Sequence, residues 1–401
     1  MKGEFIDAEA AAGALGISRS SLYAYVSRGL IRARMDGGDP RRKLYSLADI
    51  ETLQRRKAIS RSPGEAAATT LDWGLPVLAS AITRIADGRL SYRGRDAVDL
   101  ANRATLEDCA RLLWECGDVD PFADNAARPE DWEAPLVARS HSLPLVERCQ
   151  VLLPFVEAGR AVRWQRPPAR LWPGAAALLR AMTAAASASD PDEKPAHVHL
   201  AESWECDDRG ADAIRRALVL LADHELNASA FAVRVVASTG ASLGSCLTAG
   251  LGALGGPMHG GMTSLVELLF DEMARSDDFG ALVEARLRRG DGIPGFGHPL
   301  YPEGDPRATA IMKHLPADDR RDAFLAAVAD TTGKRPSIDF ALVSMRRAFE
   351  LPPGAALALF AVGRTAGWIA HALEQGHSER LIRPRARYVG PESNAEPSRP
   401  S

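Results

Sequence analysis

Apolar and polar positions alternate with helical spacing from the first residues onward. Asp7 is placed to cap a helix running to Leu15, and Gly16 suits the left-handed residue that ends it. Ser18 is placed to cap a second helix, Arg19–Arg28, stopped by Gly29. Leu22 and Val26 lie four apart and mark its buried face, leaving Arg19, Ser20 and Tyr23 outward. Leu30–Met35, the turn 36–40 and Arg41–Tyr45 form a hairpin pattern with basic residues beside its tip. Ser46-Leu47-Ala48-Asp49 resembles a capping box opening a third helix to about Lys57. Residues 60–70 have the composition of a flexible connection. From Leu71 the pattern is mostly helical. Ala/Leu-rich stretches are broken by Gly and Pro, Pro167–Pro173 and Ser187–Pro195 mark loops, and no run of alternating strands is expected.

With 401 residues the chain has room for two or three domains, and 46% hydrophobic with 25% charged residues excludes wholesale disorder. The net charge of -3 hides a division: residues 1–60 carry +4 and the remaining 341 carry -7. A small basic head therefore precedes a larger acidic body, and opposite signs suggest different partners. Met1–Asp7 lacks the basic n-region and apolar run of a secretory signal. The charge-free stretch Val235–Val266 contains eight glycines, so buried helices are expected there rather than a membrane span. Five scattered cysteines without a CxxC pair argue against a disulfide framework and a zinc finger. A cytoplasmic protein without a membrane partner is expected.

Two short helices and a hairpin wing suggest a DNA-binding unit. The segments GISRSSLYAYVSRGLI and RRKLYSLADIETL resemble the winged helix-turn-helix of the MerR and excisionase type. The resemblance implies that Arg19, Ser20, Ser21 and Tyr23 approach a major groove while Arg41, Arg42 and Lys43 touch phosphates. The competing reading is a docking or oligomerisation module with solvated charges.

In the body, three of the nine histidines stand in unusual surroundings. His224 occurs in DHELNAS, at the start of an apolar helix; His259 lies in GGPMHGG and His298 in GFGHP. Flanking glycines let backbone approach a ligand closely, and a helix beginning after such a loop turns its N–H groups toward an anion. Arg364 interrupts the apolar run LALFAVGRTAGWIA. A buried guanidinium needs an anionic partner, either a structural carboxylate or the carboxylate of a ligand. Asp339 is a lone acid in PSIDFAL; burial would strengthen it as a base, and a helix N-cap is the competing role. A catalytic metal is not expected, because spacings of 35 and 39 residues between the histidines match no metal motif. The His197-Val198-His199 pair has ligand-like spacing but follows a Pro-containing loop and reads as solvated.

Taken in order, DHELNASAFAVRVVAST, GALGGPMHGG, GFGHPLYPEGDPRA, SIDFALV, AVGRTAGWIAHALEQ and LIRPRARYVGP resemble the citrate synthase family, with DGRLSYRGRDAVDLA matching its start. The resemblance implies a mostly α protein: a citrate synthase-like all-α fold with a large and a small domain, preceded by the small winged helix-turn-helix domain. The implied boundaries are a head at 1–59, linker at 60–70, synthase body at 71–391 with a small mobile subdomain at 267–350, and a flexible tail at 392–401. It also implies a homodimer that binds oxaloacetate and an acyl-CoA co-substrate, with no permanently bound cofactor and no metal.

Carried over residue by residue, His224 holds oxaloacetate and His259 polarises the thioester carbonyl. Asp339 removes a methyl proton, and His298 protonates the oxaloacetate carbonyl as the C–C bond forms. Arg307, Arg364 and, from the other subunit, Arg383 clamp carboxylates. Pro294, Gly295, Phe296 and Gly297 lie against the co-substrate. Two departures concern CoA. Pro299 and Pro302 stand where many members carry basic residues, with Arg288, Arg289 or Lys313 as candidate substitutes, and Gly260-Gly261-Met262-Thr263 replaces a Gly-Ala-Asn-like run. The alternatives are 2-methylcitrate synthesis from propionyl-CoA, and a transcriptional regulator that uses the synthase fold to sense metabolites.

Overall fold

A computed structural model of the chain describes residues 5–27, 30–35, 43–47, 49–50, 53, 78–123, 134–157, 167–378, 380–386 and 388–390. The chain divides into two compact units, residues 1–79 with 385–401, and residues 80–384.

In the first unit, Asp7 caps α1 (Ala8–Leu15) by accepting from Glu9 N and Ala10 N, and Gly16 ends it at φ 59°. Ser18 Oγ accepts from Ser21 N at the start of α2 (Arg19–Ser27). β1 (Phe5–Ile6), β2 (Ala33–Met35) and β3 (Lys43–Ser46) form an antiparallel sheet of order β1-β3-β2, with Arg34 opposite Leu44. Ala11, Leu15, Leu22, Ile31, Tyr45 and Ile50 close a small core of their own. The capping box at Ser46 forms in one direction. Asp49 N donates to Ser46 Oγ at 3.4 Å, but the Asp49 carboxylate pairs with Arg32, and Ser46 N donates to Arg32 O instead. Arg41, Arg42, most of the third helix, the linker 60–70 and the tail 392–401 lie outside the described residues.

The second unit opens with a correction. A meander of β4 (Thr83–Ala86), β5 (Arg89–Tyr92) and β6 (Arg95–Asp96) precedes the helices, so the body is mostly but not wholly α-helical. Asp87-Gly88 and Arg93-Gly94 all adopt positive φ, the geometry of tight two-residue hairpin turns. The helices follow as α3 (Ala97–Ala101), α4 (Leu106–Leu113), α5 (Ala134–Ser140), α6 (Leu145–Glu157), α7 (Trp172–Ser187), α8 (Ala196–Ser203) and α9 (Asp208–Leu221). Then come α10 (Ala228–Ala237), α11 (Leu243–Leu254), α12 (Met262–Ala274), α13 (Phe279–Arg289), α14 (Pro306–Met312), α15 (Asp319–Thr332), α16 (Ile338–Ala348) and α17 (Ala355–Gly376). Pro173 sits inside the first turn of α7 rather than in a loop, where its missing N–H costs nothing. The charge-free stretch becomes the end of α10, α11 and the start of α12, as expected.

Helix α17 is the axis of the body. It packs against α4, α7, α9, α10 and α11. By length and composition it could cross a membrane, yet 94% of its apolar window is buried inside the protein. Close approach to α9 depends on two glycines. A Cβ at Gly363 would lie 2.7 Å from Leu221 Cβ, and one at Gly367 would overlap Ala222 O and approach Asp223 Cβ to 2.8 Å. Tyr92 OH, lodged among the carbonyls of Val219, Leu220 and Asp223, ties the sheet to the same corner. Gly367→Ala should therefore lower stability by about 1–3 kcal/mol through overpacking, despite the better helix propensity of alanine. Gly376→Ala, where a Cβ meets nothing within 4 Å, should be neutral or slightly stabilising; urea unfolding midpoints of the two variants compare them directly.

Candidate active site

The corner between α9 and α10 holds His224. The chain leaves α9 through Ala222 and Asp223, turns at Glu225 with a left-handed φ of 54°, and re-enters a helix capped by Asn227. His224 thus sits in the turn before α10, and it is 6% exposed. Its Nε2 lies 3.0 Å from Tyr301 OH, and its ring meets the His298 ring edge-on at 5.2 Å. Burial holds its pKa well below the ordinary histidine range, and Arg307, Arg364, His298 and His259 depress it further. Those four groups therefore surround it.

His259 occupies the turn between α11 and α12. Its flanking glycines serve the protein's own backbone: a Cβ at Gly260 would lie 2.9 Å from Leu254 O, and Gly261 N donates to that same carbonyl at 3.1 Å. The turn folds back on the end of α11, so Gly260 and Gly261 are required by this close approach of backbone to backbone. His259 Nε2 lies 2.8 Å from Ser229 Oγ, which also accepts from Trp368 Nε1 at 3.1 Å. Ser229 Oγ also donates to Asn227 Oδ1 at 2.7 Å; the His259 ring proton is on Nδ1 only when that single hydroxyl hydrogen turns to Nε2 instead. Burial, then Arg364, pushes this imidazole down to about 4, so it is neutral at pH 7.

His298 follows a loop fixed by pairing with the approach to α16. Gly297 N donates to Arg335 O and Ser337 N to Gly295 O, both at 2.8 Å, with Phe296 bridged to Pro336. Gly295 needs its freedom twice over, at φ 80° and with Val266 Cγ2 2.8 Å from where a Cβ would sit. The Phe296 ring turns into the core against Phe340 (4.9 Å) and Phe324, so among 294–297 the backbone rather than this ring faces outward. Leu300 N donates to His298 Nδ1 at 3.2 Å, which leaves the ring proton on Nε2. Burial and Arg307 push His298 down to about 4.

Asp339 lies in the first turn of α16, one residue past Ile338, while Ser337 holds the N-cap position; the capping role is excluded. Ser337 Oγ donates to its Oδ2 at 3.2 Å. Burial raises the carboxyl to about 6, against a downward pull from Arg307. Asp305 joins these parts: it accepts from Arg307 Nε (3.0 Å), Arg307 Nη2 (2.7 Å) and Ile338 N (3.1 Å) in a buried pair. Arg364 is matched differently. Its Nε donates to Leu221 O at 2.9 Å, while Nη1 and Nη2 are buried without a hydrogen-bond partner among the described residues. Burial lowers its pKa to about 10, with Asp223 opposing, so it remains a cation.

The fold therefore brings His224, His259, His298, Asp339, Arg307 and Arg364 into one cluster, with His224 and the two arginines buried and the other three half-buried. Tyr301, Ser229, Asp305, Asp223 and Trp368 belong to it and escaped sequence reasoning, although all five stand within the quoted motifs. Arg383 is exposed on the extended segment 380–384 and makes no described contact with the cluster. His197 and His199 are not solvated loop residues. Both lie on α8, and His199 is buried with Nδ1 2.9 Å from Asp192 and Nε2 2.7 Å from Ser189. Arg288 and Arg289 pair with Glu284 and Asp291.

Residues 70–385 match the family model described as citrate synthase, C-terminal domain. The chain belongs to the citrate synthase family. It is 30% identical to citrate synthase 2 of Bacillus subtilis, over 80% of this chain and 95% of that relative. It is 28% identical to a 2-methylcitrate synthase of Shewanella oneidensis, over 86% of this chain and 97% of the relative. Among solved structures, citrate synthase from Thermotoga maritima superposes with a TM-score of 0.66 at 25% identity, covering 79% of this chain and 94% of that one. The ternary complex of carboxymethyl coenzyme A and oxaloacetate with citrate synthase from Thermoplasma acidophilum shares the fold, with a TM-score of 0.66 at 24% identity, covering 79% and 95%. The protein is thus a transferase of the citrate synthase type. Citrate synthases use acetyl-CoA as co-substrate and need no metal.

The two buried arginines differ in what their loss leaves behind. Arg307→Met strands the fully buried Asp305 carboxylate and should cost about 3–5 kcal/mol. Arg364→Met removes two unmatched donors and should change the stability of the ligand-free protein by less than about 1 kcal/mol. Chemical unfolding of both variants reads the difference.

Proposed function

We propose that the protein condenses acetyl-CoA with oxaloacetate to give citrate and CoA. The observation that carries this reading is Arg364, a buried cation with two unmatched donors among three neutral histidines and a carboxyl raised to about 6. Such a pocket fits a small anionic carbonyl compound: Arg364 and Arg307 supply charge, and His224 a further hydrogen bond. A second subunit would bring Arg383 to the same carboxylates in a homodimer.

An acetyl methyl is a very weak acid, so proton removal needs a base and an electrophile acting together. The Asp339 carboxylate takes the methyl proton while the His259 N–H stabilises the oxygen of the developing enol or enolate. The new carbon nucleophile attacks the ketone carbon of oxaloacetate. As that C–C bond forms, the ketone π electrons move to oxygen, which takes the Nε2 proton of His298. Water then cleaves the citryl thioester to citrate and CoA. A closed pocket around these steps keeps acetyl-CoA from premature hydrolysis.

The test is release of CoA thiol from acetyl-CoA and from propionyl-CoA, each with oxaloacetate. Faster release from propionyl-CoA would establish the 2-methylcitrate reading, which the 97% coverage of the Shewanella relative supports. No release from either, in folded protein that binds oxaloacetate, would leave the sensor reading. Asp339→Ala should lower kcat by about 10²–10⁴ while sparing oxaloacetate binding. Because the base must be ionised and titrates near 6, kcat/KM for acetyl-CoA should be flat above that pH. Below it, the value should fall about tenfold per unit.

The head supports a second reading, DNA binding. Two helices joined by Gly16-Ile17-Ser18 are followed by the β2–β3 hairpin, with Tyr23 half-exposed on α2 and Lys43 exposed at the hairpin's end. Arg19 pairs with Glu9 at 3.1 Å on the surface, a contact that a phosphate can displace at little cost. A gel shift on the protein's own promoter region should weaken with salt and with Arg41→Ala/Arg42→Ala. Unchanged mobility at low salt would favour docking.

A further inference from the structure

We propose that Tyr301 is a positioning residue for His224: its phenol donates to His224 Nε2 and so fixes the ring hydrogen on Nδ1, the nitrogen left for a ligand. The proposal rests on the reading above for the identity of that ligand, oxaloacetate, but not for the tautomer. Tyr301 follows His298 by three residues, and its N donates to His298 O at 2.9 Å; Gly304 N then donates to Tyr301 O at 3.0 Å. These turns lay the Tyr301 ring beside that of His298, with centroids 5.1 Å apart. The guanidinium carbon of Arg307 lies 5.5 Å from the Tyr301 centroid, and Asp305 holds that guanidinium in turn by two bonds. Tyr301 is 2% exposed. Its hydroxyl is thereby held 3.0 Å from His224 Nε2, which arrives from the corner between α9 and α10.

One hydrogen has to be placed between these two atoms. Both groups are neutral: burial pushes the Tyr301 phenol up to about 12 and holds His224 well below the ordinary histidine range. A neutral imidazole offers one N–H and one lone pair, whereas a phenol can donate or accept. The phenol O–H is the more acidic donor and the imidazole lone pair the stronger acceptor, so the bond runs from oxygen to Nε2. The opposite direction leaves the phenol hydrogen over, and Tyr301 OH has no second acceptor among the described residues. An unmatched O–H in so dry a place is costly. The hydrogen bond made by one ring nitrogen decides what the other presents. With Nε2 accepting, His224 offers an incoming carbonyl or carboxylate oxygen an N–H; a lone pair in its place would repel that oxygen. Arg307 and Arg364 attract an anion by charge, and this directional neutral donor fixes its orientation.

Tyr301→Phe keeps the ring and removes the hydroxyl. Calorimetric titration with oxaloacetate should give a Kd raised about five- to tenfold in the variant, the worth of one oriented hydrogen bond. In turnover the oxaloacetate KM should carry that loss, with the acetyl-CoA KM unchanged. ¹⁵N NMR of protein labelled at histidine reads the tautomer itself, with His224 assigned from the signals lost in His224→Gln. In the wild type, Nδ1 of His224 should resonate as an N–H nitrogen and Nε2 as an acceptor; in Tyr301→Phe the two should move toward each other or exchange. A hydroxyl that only packs would leave the hydrogen where it is. A wild-type spectrum with the hydrogen on Nε2, or equal oxaloacetate Kd in the two proteins, overturns the proposal. The wild-type spectrum decides the tautomer even if the variant does not fold. If the wild type neither binds nor turns over oxaloacetate, the condensation reading fails by itself. An Nδ1 hydrogen that Tyr301→Phe releases then still supports the positioning role, and one that stays on Nδ1 in the variant overturns it.

Discussion

A guanidinium closed inside the protein with both terminal nitrogens unmatched among the described residues is the constraint around which the body is organised. Arg364 reaches its position because α17 lies flush against the end of α9, and that contact requires Gly363 and Gly367. The same contact presses the chain into the turn that carries Asp223 and His224. Asp223 shares the charge of Arg364 with His371, whose Nε2 lies 3.3 Å away in an entirely buried pair. A cation kept there without a full complement of partners costs stability. The fold bears that cost through an extensive apolar contact along α17.

The same dryness sets the state of every other group. Three imidazoles are held neutral, and one carboxyl is brought to a pKa at which it is both ionised at pH 7 and basic enough to act. Two partners divide the task of keeping them in register. Asp305 binds Arg307 to the first turn of α16, so a carboxylate-binding arginine and the base share one anchor. Ser229 binds His259 to Trp368 on α17. An anion entering the cluster would meet groups already oriented, without reorganisation of the backbone.

Much of this was legible in the chain. The caps at Asp7 and Gly16 are local chemistry, decided within four residues, and they formed as expected. The histidines, Asp339 and Arg364 announced themselves as polar residues in apolar or glycine-rich surroundings. The meander at 83–96 leaves little trace beyond the hairpin signal Asp87-Gly88, because its strands are four, four and two residues long. The glycines around His259 signal close backbone approach without saying to what. Their purpose depends on Leu254 and Gly255 folding back, which no local pattern encodes. His199 was misplaced for a similar reason: its partners Asp192 and Ser189 lie in the preceding loop, while Ala196 N, at the start of its helix, is held by Glu107, 89 residues away. Non-local contacts of that kind leave no periodic trace.

The position of α17 in the chain has a consequence for synthesis. Its neighbours α4, α7, α9, α10 and α11 all precede it, so each leaves the ribosome before the helix that fills the space between them. Until Ala355–Gly376 emerges, the body has a shell with a vacant axis, and its apolar walls face water. The nascent chain therefore passes through a long interval in which collapse is possible but closure is not. The longest of the described helices arrives late, carrying Arg364 with it. Among the described elements the last helix to be made thus completes the core and the charged centre of the site in a single step.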